Sequence, residues 1–309
     1  MDKRYPAGIM GTVVIPWTAD YTLDEERFIA LTSALASETH HLYVFGTAGE
    51  GYEVTDTEFQ RIVVLFRDTL RRVDPSIEPM VGLVSTSTGT IRHRIDWCLQ
   101  HGVSSFQIAL PGWEPLSSSE VRAFFDQTCG AFRTARFMHY NTGRSGARLT
   151  AADYRELADR HPNLVAGKQP GVSVVDAMEL QTDESGIQHF FTEPLFPQAA
   201  LHGECGLLVS VASISWPVAR ELFRTATEGS AEAAAAIYRE VMAVRARVLS
   251  LVLPHGHVDG AFDKLFAKFL LEDFPLRLKP PYTAPDDKVY RALRDYLGAE
   301  HPRWLAPGD

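Results

Sequence analysis

Cysteine is scarce in this chain. The three present, Cys98, Cys129 and Cys205, are odd in number, far apart and outside any C-x-x-C pattern. That argues against a disulfide framework and gives no zinc-ligand spacing, so small buried thiols are expected. Positive charge is in deficit: 30 Lys and Arg stand against 39 Asp and Glu, a formal charge of −9, and no basic block is long enough to track a phosphate backbone. Nucleic acid is not an expected partner. Long apolar runs are missing too, since none approaches the roughly 20 residues that span a bilayer. The opening Met1-Asp2-Lys3-Arg4-Tyr5-Pro6 carries no apolar signal core, so a soluble, cytoplasmic protein without membrane contact is expected.

What is present is a chain 45% hydrophobic over 309 residues, enough for one large core; a barrel of roughly 250 residues with an appendage fits that length. Short β-rich runs alternate with longer helical stretches, the pattern of successive βα units on a parallel sheet. Eight runs are counted, at residues 8–15, 42–45, 80–83, 106–109, 137–139, 164–168, 189–192 and 206–209. Eight near-equal repeats fit a closed (β/α)₈ TIM barrel better than an open doubly wound sheet, which needs a reversal of strand order. The best helix start is Thr55-Asp56-Thr57-Glu58, a cap residue with Glu three positions on, ahead of Phe59, Ile62, Val63 and Phe66 at helical spacing. Beyond run eight, residues 231–249, 261–271 and 286–297 read as helices with no strand between them. The expected division is therefore a barrel carrying the active site over residues 1–228 and a C-terminal helical extension over 229–309. The segment Leu276-Arg277-Leu278-Lys279-Pro280-Pro281-Tyr282 is a proline-stiffened connector.

Barrel active sites form where strands end and βα loops begin. Run six, Leu164-Val165-Ala166-Gly167-Lys168, ends in a lysine after apolar and small residues. Partly desolvated there, a lysine has its charged form penalised and its neutral amine made available to a carbonyl; alternatively Lys168 lies just past the strand and reaches solvent. Run five places Tyr140 at the same mouth, where a phenol can pass protons while an imine forms and breaks; packing on the rim is the alternative. Run two ends in Gly46-Thr47-Ala48-Gly49-Glu50-Gly51, where glycines free backbone N–H groups to converge on an anion such as a 2-oxo acid carboxylate.

Together these segments resemble one known family. Gly46-Thr47-Ala48-Gly49-Glu50 is similar to the G-T/S-T-G-E loop, Tyr140-Asn141 to the Y-N pair and Gly167-Lys168 to the G-x-K strand end of the dihydrodipicolinate synthase/N-acetylneuraminate lyase family. Ile15-Pro16-Trp17 resembles its T-P-F, and the likeness covers most of the chain. The resemblance implies a metal-independent class I lyase without cofactor, in which Lys168 forms an imine with pyruvate or a related 2-oxo acid. Tyr140 would shuttle protons, and Gly46, Thr47 and Ala48 would hold the carboxylate. It also implies a homo-oligomer, dimer or tetramer, with the run-four loop near an interface. Aldol chemistry in either direction and dehydration all occur in such a family, so fold and lysine do not choose among them.

The departures touch the second substrate. Ala48 stands where many members carry a hydroxyl of the proton relay, and Trp113 falls about where the synthases carry a tyrosine at a subunit interface. The loop Asn141-Thr142-Gly143-Arg144-Ser145-Gly146 lacks the usual proline. Arg144 either clamps a distal carboxylate or is a solvated loop charge. Thr192, ending run seven, and Leu208, near the end of run eight, are further candidates for substrate contact. Phe191, Phe196 and Trp113 would give an apolar pocket, or else pack the rim. Dihydrodipicolinate synthase proper and a 2-oxo-acid-binding paralogue without turnover stand as alternatives. His255 and His257 have H-x-H spacing but lack nearby partners, so no metal is expected.

Overall fold

The computed structural model describes residues 4–255 and 258–306. Among them, eight parallel strands close into a barrel in sequential order: β1 (Ile9–Val13), β2 (His41–Val44), β3 (Met80–Leu83), β4 (Ser105–Ile108), β5 (Arg136–Tyr140), β6 (Leu164–Gln169), β7 (Gln188–Thr192) and β8 (Gly206–Leu208), which pairs back with β1. The connecting helices are α1 (Glu25–Glu38), α2 (Asp56–Val73), α3 (Thr88–Gln100), α4 (Ser118–Phe125), α5 (Ala151–Arg160), α6 (Val174–Thr182) and α7 (Phe196–Ala200), with α8 (Trp216–Glu228) after the last strand. Then follow α9 (Ala231–Val252), α10 (Asp259–Leu270) and α11 (Asp287–Glu300), with no strand between them. Eight expected strands and the C-terminal helical region are thus observed. The first strand ends at Val13, short of the expected residue 15, because the chain turns away ahead of Pro16 and Trp17 bridges Leu23 instead.

Residues alternate across each strand. Met10, Tyr43, Met80, Met138, Ala166, Phe190 and Leu208 fill the barrel interior, with Tyr5 edge-on to Phe190. The opposite strand faces, with Val13, Val44, Phe106, Phe137, Phe191 and Leu207, pack into the larger core beneath the helices. Three unbranched methionines inside suit a tapering space that aromatic side chains fill unevenly. Helix α2 starts with the expected Thr55–Glu58 capping box, and the same reciprocal pairing opens α4 (Ser117, Glu120), α5 (Thr150, Asp153) and α6 (Ser173, Asp176). Each such cap contributes about 1 kcal/mol and fixes where a βα loop at the mouth ends.

Candidate active site

Alternation turns Lys168 of β6 into the barrel on the same face as Ala166, and Tyr140 of β5 on the same face as Met138. Their backbones are direct register partners, and Asn141 N–H donates to the Lys168 carbonyl at 3.0 Å, so the two side chains stand side by side. Lys168 is buried, and its ammonium nitrogen lies 4.1 Å from the ring centre of Tyr140 and 4.4 Å from that of Tyr43. Nζ donates to Tyr43 Oη at 2.7 Å, and Thr12 Oγ1 donates to that same oxygen. Burial pushes the Lys168 amine down to about 7 from an ordinary 10.5, against the pull of Asp263 and Asp259, with the Arg144 charge lowering it further. Near pH 7 a substantial fraction of the amine is therefore neutral in the folded chain.

The turn after β2 approaches this amine closely. A Cβ at Gly46 would stand 2.7 Å from the Tyr43 ring and 3.5 Å from Lys168 Nζ, so glycine leaves room for both. Thr47 Oγ1 lies 3.2 Å from Tyr140 Oη. The turn closes on itself through Glu50 N–H to Thr47 O at 3.1 Å and Gly51 N–H to Gly46 O at 3.2 Å. Among the described residues, no acceptor takes the amides of Thr47 and Ala48, which remain available to an anion at the mouth. Phe45 and Glu50 sit at φ of 67° and 51°, a left-handed conformation that costs a side-chain-bearing residue on the order of 1 kcal/mol. Glu50 is locked there: buried, it accepts from Trp17 Nε1 at 2.7 Å and Lys279 N–H at 2.9 Å, and pairs with Lys264 Nζ at 2.6 Å.

Behind Tyr140 and Lys168 lies a buried polar network. Asn141 Nδ2 donates to Gln169 Oε1 at 2.9 Å, Gln169 Nε2 to Tyr154 Oη at 2.9 Å, and His139 Nδ1 lies 2.8 Å from that phenol. His189 Nδ1 joins at 3.1 Å from Gln169, and burial pushes both histidines down to about 3, which keeps them neutral. Asn141 and Gln169 are the residues following Tyr140 and Lys168, so the network fixes the strand ends that carry those two side chains. Gly167 makes room for it, since a Cβ there would come within 2.8 Å of Gln169 Nε2 and His189 Nδ1.

The family model for the Dihydrodipicolinate synthetase family matches residues 5–256. This chain belongs to that family. A 4-hydroxy-tetrahydrodipicolinate synthase of Chlamydia trachomatis serovar D is 27% identical over 213 residues, 68% of this chain and 71% of the relative. Among solved structures, the barrel is similar to YagE, a prophage protein of the dihydrodipicolinic acid synthase family from E. coli K12, solved in complex with pyruvate. There the TM-score is 0.81 at 21% identity, over 94% of this chain and 97% of that one. Proteus mirabilis N-acetylneuraminate lyase superposes with a TM-score of 0.82 at 14% identity, over 96% and 99% of the two chains.

In this dihydrodipicolinate synthetase family member, Gly46, Thr47, Ala48, Tyr140 and Lys168 meet at one mouth, and Arg144 borders it, its guanidinium against the Tyr140 phenol. Arg144 also pairs with Asp259 at 3.0 Å. Trp113 is 86% exposed, Leu208 belongs to the barrel's inner packing, and Thr192 ends β7 beside it. Phe191 and Phe196 are fully buried in the outer core, Phe196 stacked on Phe223, so they line no apolar pocket at the mouth. Glu193 instead organises the loop after β8, accepting from Ser210 N–H at 2.6 Å and Ala212 N–H at 3.0 Å.

Sequence reasoning missed Thr12, Tyr43, Asp259 and Asp263. Tyr43 had a signal: a phenol inside an apolar strand needs a partner. His257 lies outside the described residues, so the H-x-H spacing is not described. Among the described residues no group of three His, Cys, Asp or Glu side chains is placed to hold a metal ion, and no helix is long and apolar enough to cross a membrane.

Proposed function

We propose that this protein is a class I lyase acting on pyruvate or a related 2-oxo acid through an imine on Lys168. The observation that carries the reading is the Lys168 amine itself: buried, pushed down to about 7, and held between two phenols beside a turn with unused amides. The substrate carboxylate would sit on the Thr47 and Ala48 amides and the Thr47 hydroxyl. The neutral amine adds to the 2-oxo carbon, and the Tyr140 hydroxyl, bonded to Thr47, delivers the proton with which the former carbonyl oxygen leaves as water. Loss of a proton from C3 gives an enamine, a carbon nucleophile toward an aldehyde; the reverse sequence cleaves the aldol. Relatives named as a synthase and as a lyase support both directions. We also propose that the chain acts as a soluble homo-oligomer, which sedimentation will test.

Time-dependent inactivation tests the reading: borohydride should abolish activity in the presence of pyruvate and spare it in pyruvate's absence, and equal loss in both would count against an imine. The pH dependence follows from the depressed amine. The protonated form predominates below pH about 7, so the rate of imine formation should rise about tenfold per pH unit below that value and level off above it. A lysine with an ordinary 10.5 would give a rate still climbing beyond pH 9, roughly. Tyr140→Phe should lower kcat by about a hundredfold or more with a smaller change in KM, checked by steady-state kinetics.

A further inference from the structure

The C-terminal helix α10 reaches the barrel mouth. A Cβ at Gly260 would lie 3.1 Å from the Ala48 carbonyl, so the first turn of α10 sits directly on the substrate turn. Two carboxyl groups come with it. Asp263 is in electrostatic contact with Lys168 and Tyr43 and lines a small cavity with Thr12 and Ser213. Asp259 takes Arg144 at 3.0 Å, both side chains being about half exposed.

The charge inventory of this wall points one way. Arg144 is the side chain suited to receive a carboxylate on the far end of a second substrate, since a guanidinium binds carboxylates through paired N–H donors. Asp259 already engages that guanidinium from within the chain through a single contact at 3.0 Å. Lys264 is matched to Glu50, and Lys168 is the reacting amine. The remaining groups, Thr12, Tyr43, Thr47, Tyr140 and Asp263, are hydroxyls and an acid, and they favour a neutral partner over an anionic one.

We propose that Asp259 is a specificity-determining residue: by occupying Arg144 it turns the site against second substrates with a distal carboxylate and in favour of uncharged aldehydes. The proposal rests on the imine reading of Lys168. It makes the helical extension part of the active site rather than an attachment to it.

The test is the ratio of kcat/KM, with pyruvate as donor, for an uncharged aldehyde such as butyraldehyde over a carboxylated one of similar size such as succinic semialdehyde. Wild type should prefer the uncharged aldehyde. Asp259→Asn, which frees Arg144, should move the ratio toward the carboxylated aldehyde by about fivefold, the scale of one charge-assisted contact at a half-exposed site. Arg144→Gln in the Asp259→Asn background should cancel that gain. A role confined to the start of α10 would alter the melting temperature and leave the ratio unchanged. Borohydride trapping with pyruvate is run on every variant. An intact adduct with an unchanged ratio, or a wild type that prefers the carboxylated aldehyde, overturns this proposal alone; no adduct in wild type removes it together with the imine.

Discussion

Lys168→Met is expected to yield a protein that forms no pyruvate adduct, turns over no substrate, and yet unfolds at a higher temperature than wild type. The two effects share one cause. Burial pushes the amine down to about 7 because the folded interior disfavours its charge, and the unfolded chain, in which the amine is solvated, carries no such penalty. The depression from 10.5 to about 7 corresponds to at most about 5 kcal/mol, and about half that once relaxation and water entry are allowed for. The sign is fixed by linkage: between pH 7 and 10.5 the unfolded state binds the proton that the folded state lacks, so wild-type stability rises with pH across that window. The advantage of the Met variant should be full below pH about 7 and shrink toward pH 10.5. Thermal unfolding of both proteins at several pH values reads this directly. A variant less stable than wild type at every pH would mean that the amine is not held in a desolvated state.

The second large effect is expected at Lys264. This lysine is fully buried on α10, and its partner Glu50 is buried in the turn after β2 at a left-handed φ. Burial pushes Lys264 down to about 8, so the pair is held together against a desolvation penalty. Lys264→Met leaves the Glu50 carboxylate buried with only the Trp17 and Lys279 donors, and breaking such a pair costs about 3–5 kcal/mol. The turn that presents the Thr47 and Ala48 amides should loosen with it, raising the pyruvate concentration needed for half-maximal borohydride inactivation. Lys264→Met combined with Glu50→Gln removes the stranded charge and should recover part of the stability. Denaturant unfolding of the two variants checks the order, and equal stabilities would show that the stranded charge is not the cause.

The sequence made the barrel legible because every strand carries its apolar pattern locally, and Lys168 and Tyr140 because each lies at the C-terminal end of its own strand. Ends of elements moved by a residue or two where local geometry intervened, as at Pro16. Tyr43 was not legible as a site residue. It precedes the end of β2, and only barrel closure sets β2 across the interior from β6 so that its phenol meets Lys168. The acidic residues of α10 were hidden for a related reason: a helix distant in sequence showed no sign that its first turn lies on Ala48. The adjacent Asp263 and Lys264, set among Ala261, Phe262, Leu265 and Phe266, were a usable signal, since charged groups on a buried face need partners from another element. Of the two readings open for Phe191 and Phe196, packing holds and the pocket does not: Phe191 lies on a strand buried on both faces, where alternation alone cannot tell inside from outside, and Phe196 opens α7, whose docking on α8 is a tertiary contact.

If Lys168 joins covalently to a 2-oxo acid, peptide mass mapping after borohydride reduction in the presence of pyruvate will find the adduct on it. One modified peptide is expected, spanning residues around Gly167-Lys168-Gln169 and heavier by a single reduced pyruvyl group. A reduced pyruvyl group on a different lysine, or full turnover of a pyruvate-dependent reaction with no modified peptide at all, would contradict it.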